Sequence, residues 1–214
     1  DYNEYSDMFV IYVNKTLTKK NSFIFYEPLA SGKRFGSHVP WGNGHIYYDL
    51  GKCCNHSRVN TNWKSSVGNY HLWTMSAASN TATPTGTTKS IMKDGREIVT
   101  NNKTDSGKGN NQNFNLGSIG SNLYHHGNVA EFVVWASNPQ PVELQKIHSY
   151  FAIKYRLTLS DDNNNNGTAF EDPNGDGIDE GDYLNSYGDV VWDASENMGY
   201  HHGIIGIARD DNSG

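Results

Sequence analysis

Apolar positions along the chain fall in short blocks separated by polar turns, the pattern of many strands and few helices. Met8–Val13 (MFVIYV) is a continuous apolar run of buried-strand length, and Ser22–Glu27 (SFIFYE) is a second, with the polar turn Asn14–Asn21 between them. Phe35–Pro40 and His45–Leu50 flank Trp41-Gly42-Asn43-Gly44, a hairpin signal because Asn and Gly accept the positive φ that tight turns need. Tyr70–Ser76 alternates, which predicts a strand with one buried face. Lys89–Lys93 and Arg96–Thr100 flank Asp94-Gly95, a second tight hairpin, and Val129–Trp135 is the most hydrophobic strand of all. The long polar connections Ala78–Thr88 and Asn101–Asn115 read as exposed loops at the ends of a sandwich. The first clear helix comes late. Pro141 suits the first helical position, Glu143 the positive end of the dipole, and Lys154 and Arg156 the negative end. Leu144, Ile147, Phe151 and Tyr155 then form one apolar stripe, expected to lie across a sheet edge.

After Thr158-Leu159 the text shifts to the linker-like run Ser160–Gly167. Tyr183–Ser186 and Val190–Trp192 then flank Tyr187-Gly188-Asp189 as a strand pair, and Gly203–Ala208 predicts another short strand. So short a tail with few apolar side chains cannot close a core alone, so it is expected to pack on the first domain or to open a further one. The expected organisation is a first domain over residues 1–159 and an acidic loop with a β extension over 160–214. The fold class is all-β: an antiparallel β-sandwich with one late helix and a small β extension.

Composition sharpens this picture. Thirteen Tyr, eight Phe and five Trp supply a core of aromatic and β-branched side chains, while Gly, Asn, Ser and Thr are abundant and suit turns. The net charge of −6 (17 basic, 23 acidic side chains) with no basic run argues against nucleic acid, whose binding rests on phosphate neutralisation. No apolar run approaches the roughly 20 residues of a membrane-spanning helix. No signal peptide opens the chain, and its abrupt start at Asp1 suggests a mature or trimmed fragment of a longer chain. Cys53 and Cys54 are adjacent and lack the second ligand pair of a zinc site. Two packed, reduced thiols and a strained vicinal disulfide shaping a loop both remain open.

The sharpest chemical signal is Asp172-Pro-Asn174-Gly-Asp176-Gly-Ile178-Asp179-Glu180-Gly-Asp182. Hard cations want several oxygens converging from alternate residues of a curled loop. Asp172, Asn174 and Asp176 take positions 1, 3 and 5 of a calcium loop, Gly177 the turn at 6, and Ile178 offers a backbone carbonyl at 7. The twelfth position is Tyr183, not the Glu of an EF-hand, so Asp179, Glu180 or Asp182 is the candidate to complete the shell, as in aspartate-rich calcium repeats of secreted proteins. The alternative is a solvated acidic linker held extended by repulsion. With calcium bound, the loop stiffens a junction and its role is structural.

A second constellation surrounds the first hairpin: His38, Trp41, Asn43, Tyr47, Asp49 and Arg58, with His45, Tyr48 and the cysteines nearby. Aromatic faces beside polar side chains suit a carbohydrate, whose apolar face stacks while its hydroxyls find directional partners. The alternative is that alternate members fill the core and Trp41 caps the turn. His125-His126 and His201-His202 are adjacent pairs whose members point to opposite faces of a strand, and read as surface or turn histidines. Motifs for a nucleophile elbow, a zinc protease, a phosphate loop or a dinucleotide fold are missing from the sequence, and Glu131 stands alone in its strand. The reading is therefore non-catalytic.

Particular words carry a resemblance. Lys93-Asp-Gly-Arg-Glu97 resembles the hairpin of laminin-G-like and concanavalin A-like jelly rolls, and Ala130–Ala136 followed by Pro141–Ile147 resembles their penultimate strand and short helix. Ser149-Tyr-Phe-Ala-Ile-Lys-Tyr155 with Leu157-Thr-Leu159 is similar to the ending of laminin-G-like modules in large secreted surface proteins of bacteria, especially Bacteroidota. The stretches 38–54 and 183–210 resemble the same group, although Arg156 stands where that pattern has Gly. The resemblance implies a jelly-roll module of a secreted or bacterial cell-surface protein, an adhesin whose partners are a glycan or surface protein and the neighbouring domains of its own chain. A purely structural spacer and an accessory module of a polysaccharide-degrading enzyme are the rival roles.

Overall fold

The apolar run after Asp7 forms β1 (Met8–Thr16), whose residues from Met8 to Asn14 are all buried, so side chains on both of its faces are withdrawn from water. A computed structural model of the chain describes residues 7–54, 57–62, 67–80, 86–101, 107, 109, 112–119, 123–160, 181–197, 200–201 and 204–205. Two compact units emerge: Asp1–Lys93 with Glu97–Pro139, and Asp94–Arg96 with Gln140–Gly214.

The first unit is an antiparallel sandwich of jelly-roll type. Its first sheet adds β6 (Tyr70–Asn80), β7 (Gly86–Lys93), β8 (Arg96–Asn101) and β10 (Gly127–Trp135), in the order β10-β1-β6-β7-β8. Its second sheet holds β2 (Phe25–Pro28), β3 (Arg34–His38), β4 (His45–Gly51), β5 (Val59–Asn62) and β9 (Asn115–Leu116), in the order β5-β4-β3-β2-β9. Alternation sends Val10, Tyr12, Trp73 and Met75 of the first sheet and Phe25, Phe35, Ile46, Tyr48 and Leu50 of the second into one shared core. Tyr12 bridges the layers, its hydroxyl 3.3 Å from Ser37 Oγ.

The strands predicted between Met8 and Trp135 are present, with instructive differences. Tyr70–Ser76 is not buried on one face alone: Leu72 and Thr74 are as buried as Trp73 and Met75, so both faces of β6 are withdrawn from water. The hydrophobic run in β10 forms a sheet edge, leaving Val134 and Trp135 more than a third exposed while Trp135 rests 5.3 Å from the Phe9 ring. β6 and β7 extend into the stretch read as a polar loop, and pair as far as Asn80↔Gly86. β5 and β9 are strands that the hydropathy pattern did not announce.

In the second unit, α1 (Pro141–Tyr155) has the bounds its caps predict, and Arg156 closes it in the left-handed region at φ 55°. Its buried face differs from the predicted apolar stripe: Gln145, His148, Ser149 and Ala152 are buried together with Phe151, while Leu144, Ile147 and Tyr155 are half-buried. Hydrogen bonding accounts for this. Gln145 Nε2 donates to the Asp182 carbonyl at 2.7 Å, and Ser149 Oγ accepts the Leu184 N–H at 2.9 Å, so the helix meets the backbone of β11 (Tyr183–Leu184) through polar side chains. β11 pairs with β12 (Val190–Trp192), and the buried Tyr183 hydroxyl donates to the Leu157 carbonyl and accepts the Leu159 N–H, both at 3.0 Å. The expected strand at 203–208 lies outside the described residues except for Ile204 and Ile205.

Gly36 of β3 leaves no space for a side chain: a Cβ there would stand 3.0 Å from the Phe25 carbonyl oxygen and 3.4 Å from the Phe23 ring. Gly36→Val is expected to destabilise the chain by about 2 kcal/mol through overpacking. Urea unfolding checks this, and an unchanged midpoint would contradict the close approach.

Candidate ligand-binding site

The turn between β3 and β4 is built by its own backbone and by two asparagines, Asn43 within it and Asn21, whose Oδ1 accepts the Gly42 N–H at 3.3 Å. Trp41 N–H donates to the His45 carbonyl and Gly44 N–H to that of Trp41, each at 2.8 Å, with Gly44 at φ 86°. Asn43 Oδ1 accepts the His45 N–H at 3.0 Å, and its Nδ2 donates to the Tyr47 hydroxyl at 2.7 Å. From this turn, strand alternation directs Arg34, Gly36 and His38 of β3 and His45, Tyr47 and Asp49 of β4 to the outward face of the sheet. Tyr48 goes the other way, into the core.

Asp49 is the electrostatic centre of that face. Its carboxylate is fully buried, opposite Gly36 in the register. Arg58 donates through Nε to Oδ1 and through Nη2 to Oδ2, both at 2.8 Å, while Arg34 donates to Oδ2 through Nε at 2.9 Å and Nη2 at 2.6 Å. Burial would raise this carboxyl, but the Arg58 hydrogen bonds and the charges of Arg34 and Arg58 outweigh it and hold Asp49 below the ordinary carboxylate range. Arg58 also lies over the Tyr47 ring, with Cζ 4.2 Å from its centroid, and His45 stacks on Tyr47 at 5.6 Å and 18°. His45 Nδ1 donates to Asn60 Oδ1 at 3.3 Å. The result is a row of half-buried and exposed groups across β4 and the start of β5: His45, Tyr47, Arg58 and Asn60, with Asn43 and Trp41 at the turn.

His38 sits beneath this row. It is 2% exposed, with its ring 3.9 Å from Phe23, 4.5 Å from Trp41 and 5.8 Å from Tyr47. Its Nδ1–H donates to the Ser22 carbonyl at 2.7 Å, and burial lowers its pKa to about 4, so it is neutral at physiological pH. Of the six residues drawn from the sequence, Trp41, Asn43, Tyr47 and Arg58 are therefore accessible, at least in part. His38 and Asp49 are buried, and their part is to position the others. Arg34, His45, Asn60 and Phe23 complete the constellation. Period-two alternation from His38 back to Arg34 and from Tyr47 back to His45 is the signal that finds the first two.

The calcium candidates Asp172, Asn174, Asp176, Ile178, Asp179 and Glu180 lie outside the described residues. Asp182 is buried, and its Oδ1 accepts the Ala194 N–H at 2.7 Å. Among the described residues no group of three His, Cys, Asp or Glu side chains is placed to hold a metal. His201, expected at the surface, is instead 2% exposed: its Nε2–H donates to the Leu159 carbonyl at 2.8 Å and its Nδ1 accepts from Trp192 Nε1 at 3.3 Å. No helix among the described residues is long and apolar enough to cross a membrane.

Comparison with known proteins supports the architecture. The receptor-binding domain of botulinum neurotoxin type G is similar at a TM-score of 0.53 with 7% identity, over 68% of this chain and 38% of that one. Domain 4 of AbnA, an extracellular arabinanase of Geobacillus stearothermophilus solved in complex with arabinotriose, gives a TM-score of 0.50 with 13% identity, over 66% of each chain. The botulinum neurotoxin serotype D binding domain also gives 0.50, with 9% identity, over 68% of this chain and 37% of that one. Residues 143–214 match a family described as a domain of unknown function, DUF8202. No curated protein matches the chain.

Two outcomes follow from this geometry. Asp49→Asn leaves two partly buried guanidinium groups without their counter-charge and is expected to cost about 3 kcal/mol in a denaturant melt; a loss within error of zero would contradict the clamp. His38 has a folded pKa of about 4, below its ordinary 6.5, so the unfolded chain binds a proton that the folded chain refuses and stability falls as pH drops from 6.5 towards 4. His38→Gln is expected to reduce that pH dependence by about one proton, read from melting midpoints across the interval, and an unaltered slope would refute it.

Proposed function

We propose that the protein is a non-catalytic ligand-binding module that takes a glycan on the outward face of β3, β4 and β5. The observation that carries this reading is the pre-set row His45–Tyr47–Arg58, locked from beneath by the fully buried Asp49. Sugar hydroxyls need donors and acceptors in fixed directions, and the Arg58, Asn43, Asn60 and His45 side chains offer them beside the indole of Trp41. Because Arg58 is held before any ligand arrives, little side-chain freedom is lost on binding. Asp49, the carboxylate on this face of β3 and β4, is neutralised by two arginines, an arrangement suited to positioning and not to acid–base chemistry.

The fold supports the reading, since a domain of this architecture in an arabinanase was solved with arabinotriose and others serve as receptor-binding domains of toxins. The laminin-G-like words at 93–97 and 149–159 support placement in a large secreted or bacterial cell-surface protein with an adhesive role. For the acidic stretch we take calcium as the cofactor, held by Asp172, Asn174 and Asp176 with the Ile178 carbonyl, on the strength of their spacing. Calcium there stiffens the junction ahead of β11. Glu180 and Asp182 are candidates to complete the shell, and one oxygen of Asp182 already accepts the Ala194 N–H.

A glycan array probed with the whole chain, with and without calcium, tests the binding. We expect hits that Trp41→Ala and His45→Ala weaken about tenfold each, the His45→Ala melting midpoint staying near the parent's while Trp41→Ala also uncovers the His38 ring it packs on. No hit on glycans or on host and bacterial surface proteins would favour a spacer. Calcium calorimetry tests the loop separately: binding heat at micromolar to millimolar calcium is expected, lost in Asp172→Asn/Asp176→Asn, and a flat titration would remove the metal from the account.

A further inference from the structure

Between β4 and β5 the segment that leads to Arg58 carries the adjacent Cys53 and Cys54. Cys53 is half-buried, Cys54 is exposed, and their Sγ atoms lie 2.7 Å apart, facing one another. Cys54 is in the left-handed region at φ 70° and Gly51 has φ 109°, so the chain doubles back where the thiols meet. The two ends of the reversal are tied. Ser57 donates to the Lys52 carbonyl through both its N–H and its hydroxyl, and the buried Lys89 of β7 donates through Nζ to the carbonyls of Leu50, at 2.5 Å, and Ser57, at 3.2 Å. The scaffold thus holds the sulfurs together from outside the pair. Two sulfurs do not complete a zinc shell, and no further ligand group joins them among the described residues. What two juxtaposed thiols can do is exchange with a disulfide.

We propose that Cys53 and Cys54 form a redox-active pair that closes into a vicinal disulfide, with a small-molecule disulfide such as oxidised glutathione as the oxidant. The exposed Cys54 thiolate attacks one sulfur of the oxidant, forming a mixed disulfide and releasing one molecule of thiol. The Cys53 thiolate then displaces the second thiol, forming the Cys53–Cys54 bond. The two cysteines lose two electrons, the oxidant gains them, and both cysteine protons leave on the released thiols. A ring closed across one peptide step spans a Cα separation of about 3.8 Å, shorter than ordinary disulfides accept, so the bond is strained and easily reduced. It therefore responds to its surroundings and is not a permanent staple. Closing it takes freedom from the segment that presents Arg58 to Asp49, which couples the redox state to the rigidity of that clamp.

The whole chain is incubated with oxidised glutathione, quenched in acid and weighed intact. We expect a mass lower by two hydrogen atoms than after dithiothreitol, no labelling by iodoacetamide before reduction and double labelling after it, and a monomer on a non-reducing gel. The melting midpoint should be higher in the oxidised form, the difference vanishing in Cys54→Ser and reversing on addition of free glutathione. Full labelling of both thiols after oxidation, a persistent glutathione adduct, a disulfide-linked dimer or an oxidised form no more stable than the reduced would each overturn the proposal. None of these readouts depends on a glycan, so they stand apart from the array result.

Discussion

A carboxylate that is fully withdrawn from water must be compensated where it sits, and Asp49 is compensated by two guanidinium groups that arrive from different places in the sheet. Arg34 stands on β3 and Arg58 at the entry to β5, so one buried charge ties three strands together on the side away from the apolar core. The consequences spread outward from that point. Arg58, fixed by two hydrogen bonds, lies over Tyr47; Tyr47 in turn stacks on His45 and is held at its hydroxyl by Asn43. Gly36, opposite Asp49, keeps the strand face low enough for the carboxylate and for Phe23 to pack there. A ligand meets side chains whose positions were decided by an ion cluster beneath them.

The same economy of polar groups recurs in the second unit. Its helix buries Gln145 and Ser149 where amphipathic reasoning wants leucine, and both side chains bond the backbone around β11. Tyr183 and His201 bind the carbonyls and amide at Leu157 and Leu159 in the same fashion. A short β pair presents too little apolar area to be held by burial alone, so hydrogen bonds to buried partners supply the specificity.

How far the sequence foretold this follows from the kind of force involved. Burial of continuous apolar runs is visible in a string of letters, so β1, β4, β10 and the helix bounds were legible, as were the Asn-Gly and Asp-Gly turns. β5 was not, because Val59 is its one buried residue, and β9 is two residues long at a sheet edge. The outward cluster was partly legible: Trp41, Tyr47 and Arg58 advertise themselves by type. The Arg34–Asp49 contact crosses fifteen positions and depends on strand register, which hydropathy does not encode. The burial of His38 depends on Phe23 folding over it from a preceding segment. The helix face was misread because hydropathy counts a glutamine as polar even when a buried carbonyl awaits it.

The central claim is that a ligand lands on the outward face of β3, β4 and β5. Amide and indole chemical shifts of the isotopically labelled chain, followed as an oligosaccharide selected on the array is added, test it most directly. The account predicts saturable shifts concentrated at Trp41, Asn43, His45, Tyr47, Arg58 and Asn60, with β1, β6 and β10 unmoved. Shifts confined to the opposite sheet or to residues 181–197 would contradict it.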